Sequence, residues 1–194
     1  MKIFIIFTRH LFFFTHWQYL LVAVLVVYCH GSIADKIKLE LLKVEDGDTI
    51  VVDNKGVEVR IQLSGIDAPE AVENAKLKLD IKATGLDGHT LLVIGHAATQ
   101  HLKSLLPPGQ LVVLDTDLAR KDKYGRVPAI VFNAYSRQLN EAMVEDGYAS
   151  VLTRYPIDAD FRSRLQRYQA AARKQRRGLW GKYPDVSKAW FGGV

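Results

Sequence analysis

Three short clusters hold the side chains whose types and spacing could do chemistry: Asp46-Gly47-Asp48-Thr49, Gly65-Ile66-Asp67-Ala68-Pro69-Glu70 and Asp122-Lys123-Tyr124-Gly125-Arg126. Taken singly, each has a plain structural reading. Asp-Gly-Asp-Thr makes a turn in which Asp and Thr side chains bond nearby N–H groups and Gly takes positive φ. Asp67 can cap a helix with Pro69 in its first turn, and the third cluster can be a solvated hairpin. Charge placement points further. The chain carries 26 Lys+Arg against 21 Asp+Glu, a net +5, yet residues 161–194 hold nine basic groups against Asp185 alone, and residues 35–160 are at −5. An acidic body followed by a basic tail suits a polyanionic substrate drawn to a site that itself uses carboxylates or a cation.

The elements that must position these clusters fit one globular domain. With 194 residues, 14 Gly, 6 Pro and one Cys, the chain is neither collagen-like nor disordered nor a disulfide scaffold. Residues 36–63 alternate apolar and polar in three runs, Ile37 to Val44, Thr49 to Val52 and Val57 to Leu63, which predicts a β-meander. Two further strands are predicted at Leu111 to Leu114 and Ala129 to Phe132. Helices are predicted over His96 to Leu106, Leu139 to Asp146 with Gly147 as its left-handed stop, and Asp158 to Arg177 ended by Gly178. His96 and His101 are five apart and read as ordinary helix residues. Between Ala71 and Val93 the pattern is weak and is broken by Gly85 and Asp87-Gly88. That stretch is expected to be a surface insertion loop with little fixed structure. Many short strands with a few helices imply a small closed barrel.

Residues 1–34 read as an address. Leu11 to Tyr28 is nearly all apolar, with Lys2 and Arg9 before it and Ser32-Ile33-Ala34 after it, which suits signal-peptide cleavage after Ala34. An uncleaved membrane anchor is the second reading. Either places the remainder outside the cytoplasm, secreted or periplasmic in the first case and membrane-anchored in the second. Cys29, the single cysteine, lies in this segment.

The order of the three clusters, the 22 residues from Asp48 to Glu70, and Gly178-Leu179-Trp180 after a basic helix resemble the staphylococcal nuclease (thermonuclease) family over residues 36 to 181. The resemblance implies an α+β fold, a five-stranded OB-fold barrel with about three helices, in a domain spanning 35–181 with a tail at 182–194. It also implies a monomeric Ca²⁺-dependent enzyme that hydrolyses phosphodiester bonds in DNA and RNA. Such a reaction needs an activated water, a neutraliser of charge on the phosphoryl oxygens and a means of holding the phosphate in line. By the resemblance, Asp48, Asp67 and the carbonyl of Ala68 hold the metal, and Glu70 is the general base. Arg126 forks the scissile phosphate, Lys123 and Tyr124 steady a neighbouring terminal phosphate, and Tyr155 lies against the nucleotide, with Thr153 replacing its usual tyrosine partner. Asp46 orients Asp48, and Thr49 either supports the metal through water or simply starts a strand.

One position departs from the family. Five residues before the second metal-binding aspartate the family has a phosphate-contacting arginine, and here that position is Gln62. A neutral amide cannot supply the bidentate charged contact, and losing such a donor costs about 10²- to 10³-fold in rate. Arg60, two residues earlier on the same strand face, is a candidate partial substitute across roughly 6 to 7 Å. The rival reading is a catalytically inactive OB-fold module that keeps only its nucleic-acid-binding groove.

Overall fold

A computed structural model describes residues 36–107, 109–152 and 157–192. The expected leader over 1–34, Thr153 and Tyr155 lie outside the described residues. Strands β1 (Ile37–Val44), β2 (Thr49–Asn54) and β3 (Val57–Leu63) form the meander, and β5 (Leu111–Asp115) and β6 (Val127–Phe132) complete a closed barrel in the order β1-β2-β3-β6-β5. A two-residue pair, β4 (Ile66–Asp67) and β7 (Ser150–Val151), stands apart from it. The five-stranded barrel agrees with the OB-type architecture the resemblance implies.

Alternation makes the barrel. Ile50 and Val52, Ile61 and Leu63, Val112 and Leu114, and Val127, Ala129 and Val131 are all essentially inaccessible to solvent, so each strand sends every second side chain into one core. The β2–β3 hairpin turns at Lys55-Gly56, both at positive φ, with the Gly56 N–H donating to Asp53 Oδ1 at 2.9 Å. Strands β3 and β6 are parallel, and a parallel pair needs a long crossover. Here the crossover contains two helices and β5.

Those helices overturn the expected insertion loop. Residues 71–93 are not a loop of little structure: they form α1 (Ala75–Thr84) and the start of α2 (Gly88–Leu105), which begins eight residues earlier than the His96 predicted from the sequence. The residues that seemed to break the pattern are the caps. Asn74 accepts from the Leu77 N–H, Gly85 at φ 71° ends α1, and Asp87 accepts from the Thr90 N–H to start α2.

Three more helices of useful length follow, α3 (Leu139–Glu145), α4 (Ala159–Lys174) and α6 (Pro184–Gly192), with the single turn α5 (Leu179–Lys182) between the last two. Six helices among the described residues, rather than about three, accompany the barrel. Helix α2 lays Ala98 and Leu102 on the barrel core, joined by Leu139 and Met143 of α3 and Phe161 and Leu165 of α4. A second apolar cluster unites Leu77 of α1, Leu91 and Ile94 of α2, Ala172 of α4, Leu179 and Trp180 of α5, and Trp190 and Phe191 of α6. The expected tail 182–194 is therefore largely structural: two aromatic side chains nearly buried there, each worth roughly 2–3 kcal/mol of apolar burial, are enough to hold a nine-residue helix.

Candidate active site

Asp48 is the joint between the first two clusters. In the turn between β1 and β2, Asp46 Oδ1 accepts from the Asp48 N–H at 3.0 Å, and the Asp48 carbonyl accepts from the Leu63 N–H of β3 at 2.8 Å. The nearly buried side chain then reaches across: Asp48 Oδ2 accepts from the Ala68 N–H at 2.8 Å and Oδ1 from the Thr49 hydroxyl at 3.0 Å. This holds Asp48 against the loop that carries Asp67, Ala68 and Glu70. Asp67, also nearly buried, ends β4 and is paired with Ser150 of β7.

Two glycines permit this convergence. A Cβ on Gly47 would stand 2.7 Å from Ala68 Cβ and 2.8 Å from Ala98 Cβ, and a Cβ on Gly95 of α2 would stand 1.9 Å from the Glu70 carbonyl oxygen. Gly47 is absent from the positive-φ residues, so close approach and not the expected left-handed backbone explains it. Gly95 was not singled out in the sequence, since a lone Gly within a helical pattern has no local signature of what will pack on it.

Into this cluster projects a residue that the sequence reading missed. Lys76 Nζ of α1 lies 3.4 Å from Asp67 Oδ1, 3.2 Å from Glu70 Oε1, 3.1 Å from Asp80 Oδ2 and 3.4 Å from the Ala68 carbonyl oxygen. Glu70 Oε2 accepts from Asn74 Nδ2, the helix-cap residue of α1, at 2.5 Å. Like charges about 4 Å apart repel by about 4 kcal/mol at an effective dielectric of 20, so so many carboxylates in one place require a counter-charge. Burial and the adjacent Asp48 push the Asp46 carboxyl up to about 8. Burial likewise pushes Asp67 up to about 7, with Asp48, Asp80 and Glu70 adding to the effect and Lys76 opposing it. For Lys76, burial alone would lower the ammonium, but Asp67, Glu70, Asp80 and Asp48 outweigh it and hold it above its ordinary range.

The basic side is assembled on β3 and on the turn before β6. Arg126 immediately precedes Val127, whose partner across the parallel pair is Ile61, so the turn lies beside the Arg60-Ile61-Gln62 stretch of β3. Asp122 shapes that turn. Its Oδ1 accepts the N–H groups of Tyr124 and Arg126, and its Oδ2 accepts from Arg126 Nε, each at 2.9 Å. Burial would raise the Asp122 carboxyl, but these bonds and the Arg126 charge outweigh it and lower it. The exposed Tyr124 ring lies 4.9 Å from Lys123 Nζ and 5.3 Å from the guanidinium of the half-buried Arg126, so the three side chains form one basic and aromatic surface. Gln62 is nearly buried and sits beside Thr49, Oε1 to Oγ1 at 3.3 Å. Arg60 is gripped through both sides of its guanidinium by Glu45, with Nε 2.8 Å from Oε2. Reaching a phosphate beside Gln62 would require Arg60 to give up that pair. His101 is more than an ordinary helix residue: its Nε2 is 2.9 Å from Asp146 Oδ2 and its ring stacks on Tyr148 at 4.0 Å, which fastens α2 to the end of α3.

The donor set Asp48, Asp67 and the Ala68 carbonyl is all hard oxygen and fits Ca²⁺ in its chemistry. Both Asp48 oxygens accept hydrogen bonds, and Asp67 Oδ1 and the Ala68 carbonyl face an ammonium. Among the described residues no three acidic, His or Cys side chains are gathered as metal ligands.

Comparison with known proteins bears on the same residues. A family model for the staphylococcal nuclease homologue matches residues 60–182. The chain is 30% identical over 138 residues to the thermonuclease of Staphylococcus intermedius, covering 71% of this chain and 73% of that protein. It is 31% identical over 163 residues to an uncharacterized endonuclease of Escherichia coli, covering 84% and 90% of the two. Endonuclease YhcR of Bacillus subtilis (strain 168) is 29% identical over 153 residues, and there the chain spans 12% of the relative's length. Closed barrel, carboxylate cluster and these matches define the class, a nuclease that hydrolyses phosphodiester bonds. The chain belongs to the staphylococcal nuclease family.

Proposed function

We propose that this protein is an exported, Ca²⁺-dependent nuclease acting on DNA and RNA with little base preference, with Glu70 as general base. One observation carries the reading: Asp48 Oδ2 is bonded to the Ala68 N–H at 2.8 Å, which ties the first cluster to the loop whose Asp67 and Glu70 both lie within 3.4 Å of one Lys76 nitrogen. A binding module has no reason to concentrate carboxylates where a polyanion must dock.

In this reading Asp48, Asp67 and the Ala68 carbonyl hold the ion, which when bound offsets charge building on the phosphoryl oxygens. Glu70 takes the proton of the attacking water at a carboxylate oxygen. Asn74 orients that carboxylate through Oε2, and Oε1, which faces the Lys76 ammonium at 3.2 Å, is the oxygen that would take the proton once that ammonium turns away. Arg126, pre-aligned by Asp122, donates its remaining N–H groups to the scissile phosphate. Lys123 and Tyr124 grip the next phosphate, and Tyr155 stacks on the base, contacts that every nucleotide can satisfy. Gln62 in the arginine position lowers the rate. Export rests on the apolar leader over 1–34.

Digestion of single-stranded DNA by the purified protein with Ca²⁺, with chelator, and with Glu70→Gln tests this. Cleavage that needs Ca²⁺ and is lost in Glu70→Gln supports it, whereas equal degradation in all samples places the active site elsewhere. Gln62 favours one second reading, a nucleic-acid-binding barrel without turnover, for which retained binding with no cleavage under any metal would be the sign.

A further inference from the structure

The residue at the centre of the carboxylates belongs to neither acidic cluster. We propose that Lys76 is a tethered cation that occupies the position of the divalent ion and is exchanged for it, so that helix α1 carries a built-in competitor for metal binding. The inference rests on the reading of Asp48, Asp67 and the Ala68 carbonyl as metal ligands.

Three features of the arrangement carry it. First, Lys76 Nζ faces two of the three proposed ligands, Asp67 and the Ala68 carbonyl, each at 3.4 Å, and the proposed base Glu70 at 3.2 Å. An ammonium has three protons, so with Asp80 included it has four oxygen neighbours to share them among, and no single contact commits it. Second, one positive charge faces Asp67, Glu70 and Asp80 together, leaving the group under-neutralised. A divalent ion brings twice the charge to the same oxygens, and attraction scales with that product. Third, a second seat for the ammonium already exists. Asp80 lies one turn along α1 at 3.1 Å from Nζ, and its Oδ2 also accepts from Trp190 Nε1 at 3.3 Å, so it is fixed from α6 independently of the metal ligands. On metal arrival Lys76 can keep Asp80 and release Asp67, Glu70 and the Ala68 carbonyl by rotating its own side chain, with no change in the fold.

An ammonium that only neutralised a permanently metal-free site would need no such second partner. Competition of this kind keeps the carboxylates together before the ion binds and raises the Ca²⁺ concentration needed to fill the site.

The test is Ca²⁺ binding by titration calorimetry, together with the Ca²⁺-induced rise in melting temperature, for the full protein and its Lys76→Met, Asp80→Asn and Asp67→Asn variants. Lys76→Met is expected to bind Ca²⁺ at least about tenfold more tightly than the unaltered chain and to show a larger thermal shift. Asp80→Asn, which removes the charged second seat, is expected to bind more weakly than the unaltered chain, the opposite direction, so the proposal does not depend on one variant folding. Asp67→Asn should abolish binding. Unchanged affinity in both Lys76→Met and Asp80→Asn, with Asp67→Asn still abolishing binding, overturns the proposal while leaving the metal reading intact. Absence of Ca²⁺ binding in every variant, Lys76→Met included, overturns both. Cleavage that persists in chelator and disappears in Lys76→Met overturns it too, since Lys76 would then be the working cation.

Discussion

Thr49 and Gln62 face each other as register partners across β2 and β3, with the Thr49 hydroxyl 3.3 Å from Gln62 Oε1 and 3.0 Å from Asp48 Oδ1. A hydroxyl has one proton, and the shorter contact to a carboxylate takes it. Gln62 Oε1 is the second, longer-range acceptor of the same hydroxyl, so Thr49 stands between Gln62 and Asp48. The amide thus does a neutral, positioning job in a place where a guanidinium would reach a phosphate. Gln62→Arg is expected to raise the rate of single-stranded DNA cleavage by on the order of 10²-fold. A folded variant with no gain would mean that Arg126 alone suffices.

Arg60 offers a contrast on the same strand. Its fork is held by Glu45 at an exposed position, where an ion pair contributes about 0–1 kcal/mol to stability. Arg60→Ala should therefore leave the melting temperature almost unchanged. Its effect on cleavage should stay at or below about tenfold, the size of a lost long-range attraction for the substrate. A larger loss, matched by a similar loss in Arg60→Lys, would identify Arg60 as a direct phosphate ligand.

The barrel was legible in the sequence because alternation and turn chemistry are local. Ile50, Val52, Ile61 and Leu63 sit two apart, and Asp53-Asn54-Lys55-Gly56 supplies the turn whose Asp53–Gly56 bond closes it. The three clusters were legible because order and spacing survive in one dimension. Helices α1 and α2 are obscured by their own punctuation: Gly85 and Asp87 are a stop and a start three residues from end to end, and in the sequence they read as breaks in an insertion loop. Lys76 and Asp80 form a visible i,i+4 pair, but nothing local says that this pair returns to Asp67 and Glu70, which precede it across an irregular segment. The packing of Trp190 and Phe191 depends on partners more than 95 residues away in α1 and α2, beyond any periodicity.

Close packing of α2 on the loop that holds Glu70 should be felt as activity before it is felt as unfolding. A methyl at Gly95 would meet the Glu70 carbonyl carbon at 2.3 Å and the Ala71 nitrogen at 2.9 Å, both backbone atoms that cannot rotate away. Gly95→Ala is expected to cost about 1–3 kcal/mol in urea denaturation. It should also depress cleavage strongly at temperatures where the variant remains folded, because the loop and its carboxylate must shift. Loss of stability with full activity per folded molecule would show that the loop has room to adjust.

The link between α2 and α3 has a defined acid limit. Burial would raise the Asp146 carboxyl, but the bond to His101 and the nearby Arg137 outweigh it and hold it below the ordinary 3.8. A carboxylate whose folded value is depressed contributes stability that is fully present above its unfolded value and is lost as pH falls through the folded one. The stability gap between the unaltered chain and Asp146→Asn, measured by denaturant titration, should thus be at its full size above about pH 5 and close steadily below about pH 4. A gap that stays constant down to pH 2 would mean that the carboxylate charge contributes nothing.

Trp190 separates two ways in which α6 can hold α1. Its ring is essentially buried, edge-on to Phe191 with centroids 5.0 Å apart, while its Nε1 donates to Asp80 at 3.3 Å. Trp190→Phe keeps most of the apolar volume and removes the donor, so it should cost about 1.5–3 kcal/mol, the worth of a bond to a charged acceptor. Trp190→Ala removes both and should cost about 3–5 kcal/mol. If α6 acts only by packing, Phe will match Trp in urea denaturation. Anchoring of Asp80 instead predicts that Trp190→Phe also alters Ca²⁺ affinity, because a loosened Asp80 is a poorer seat for the Lys76 ammonium.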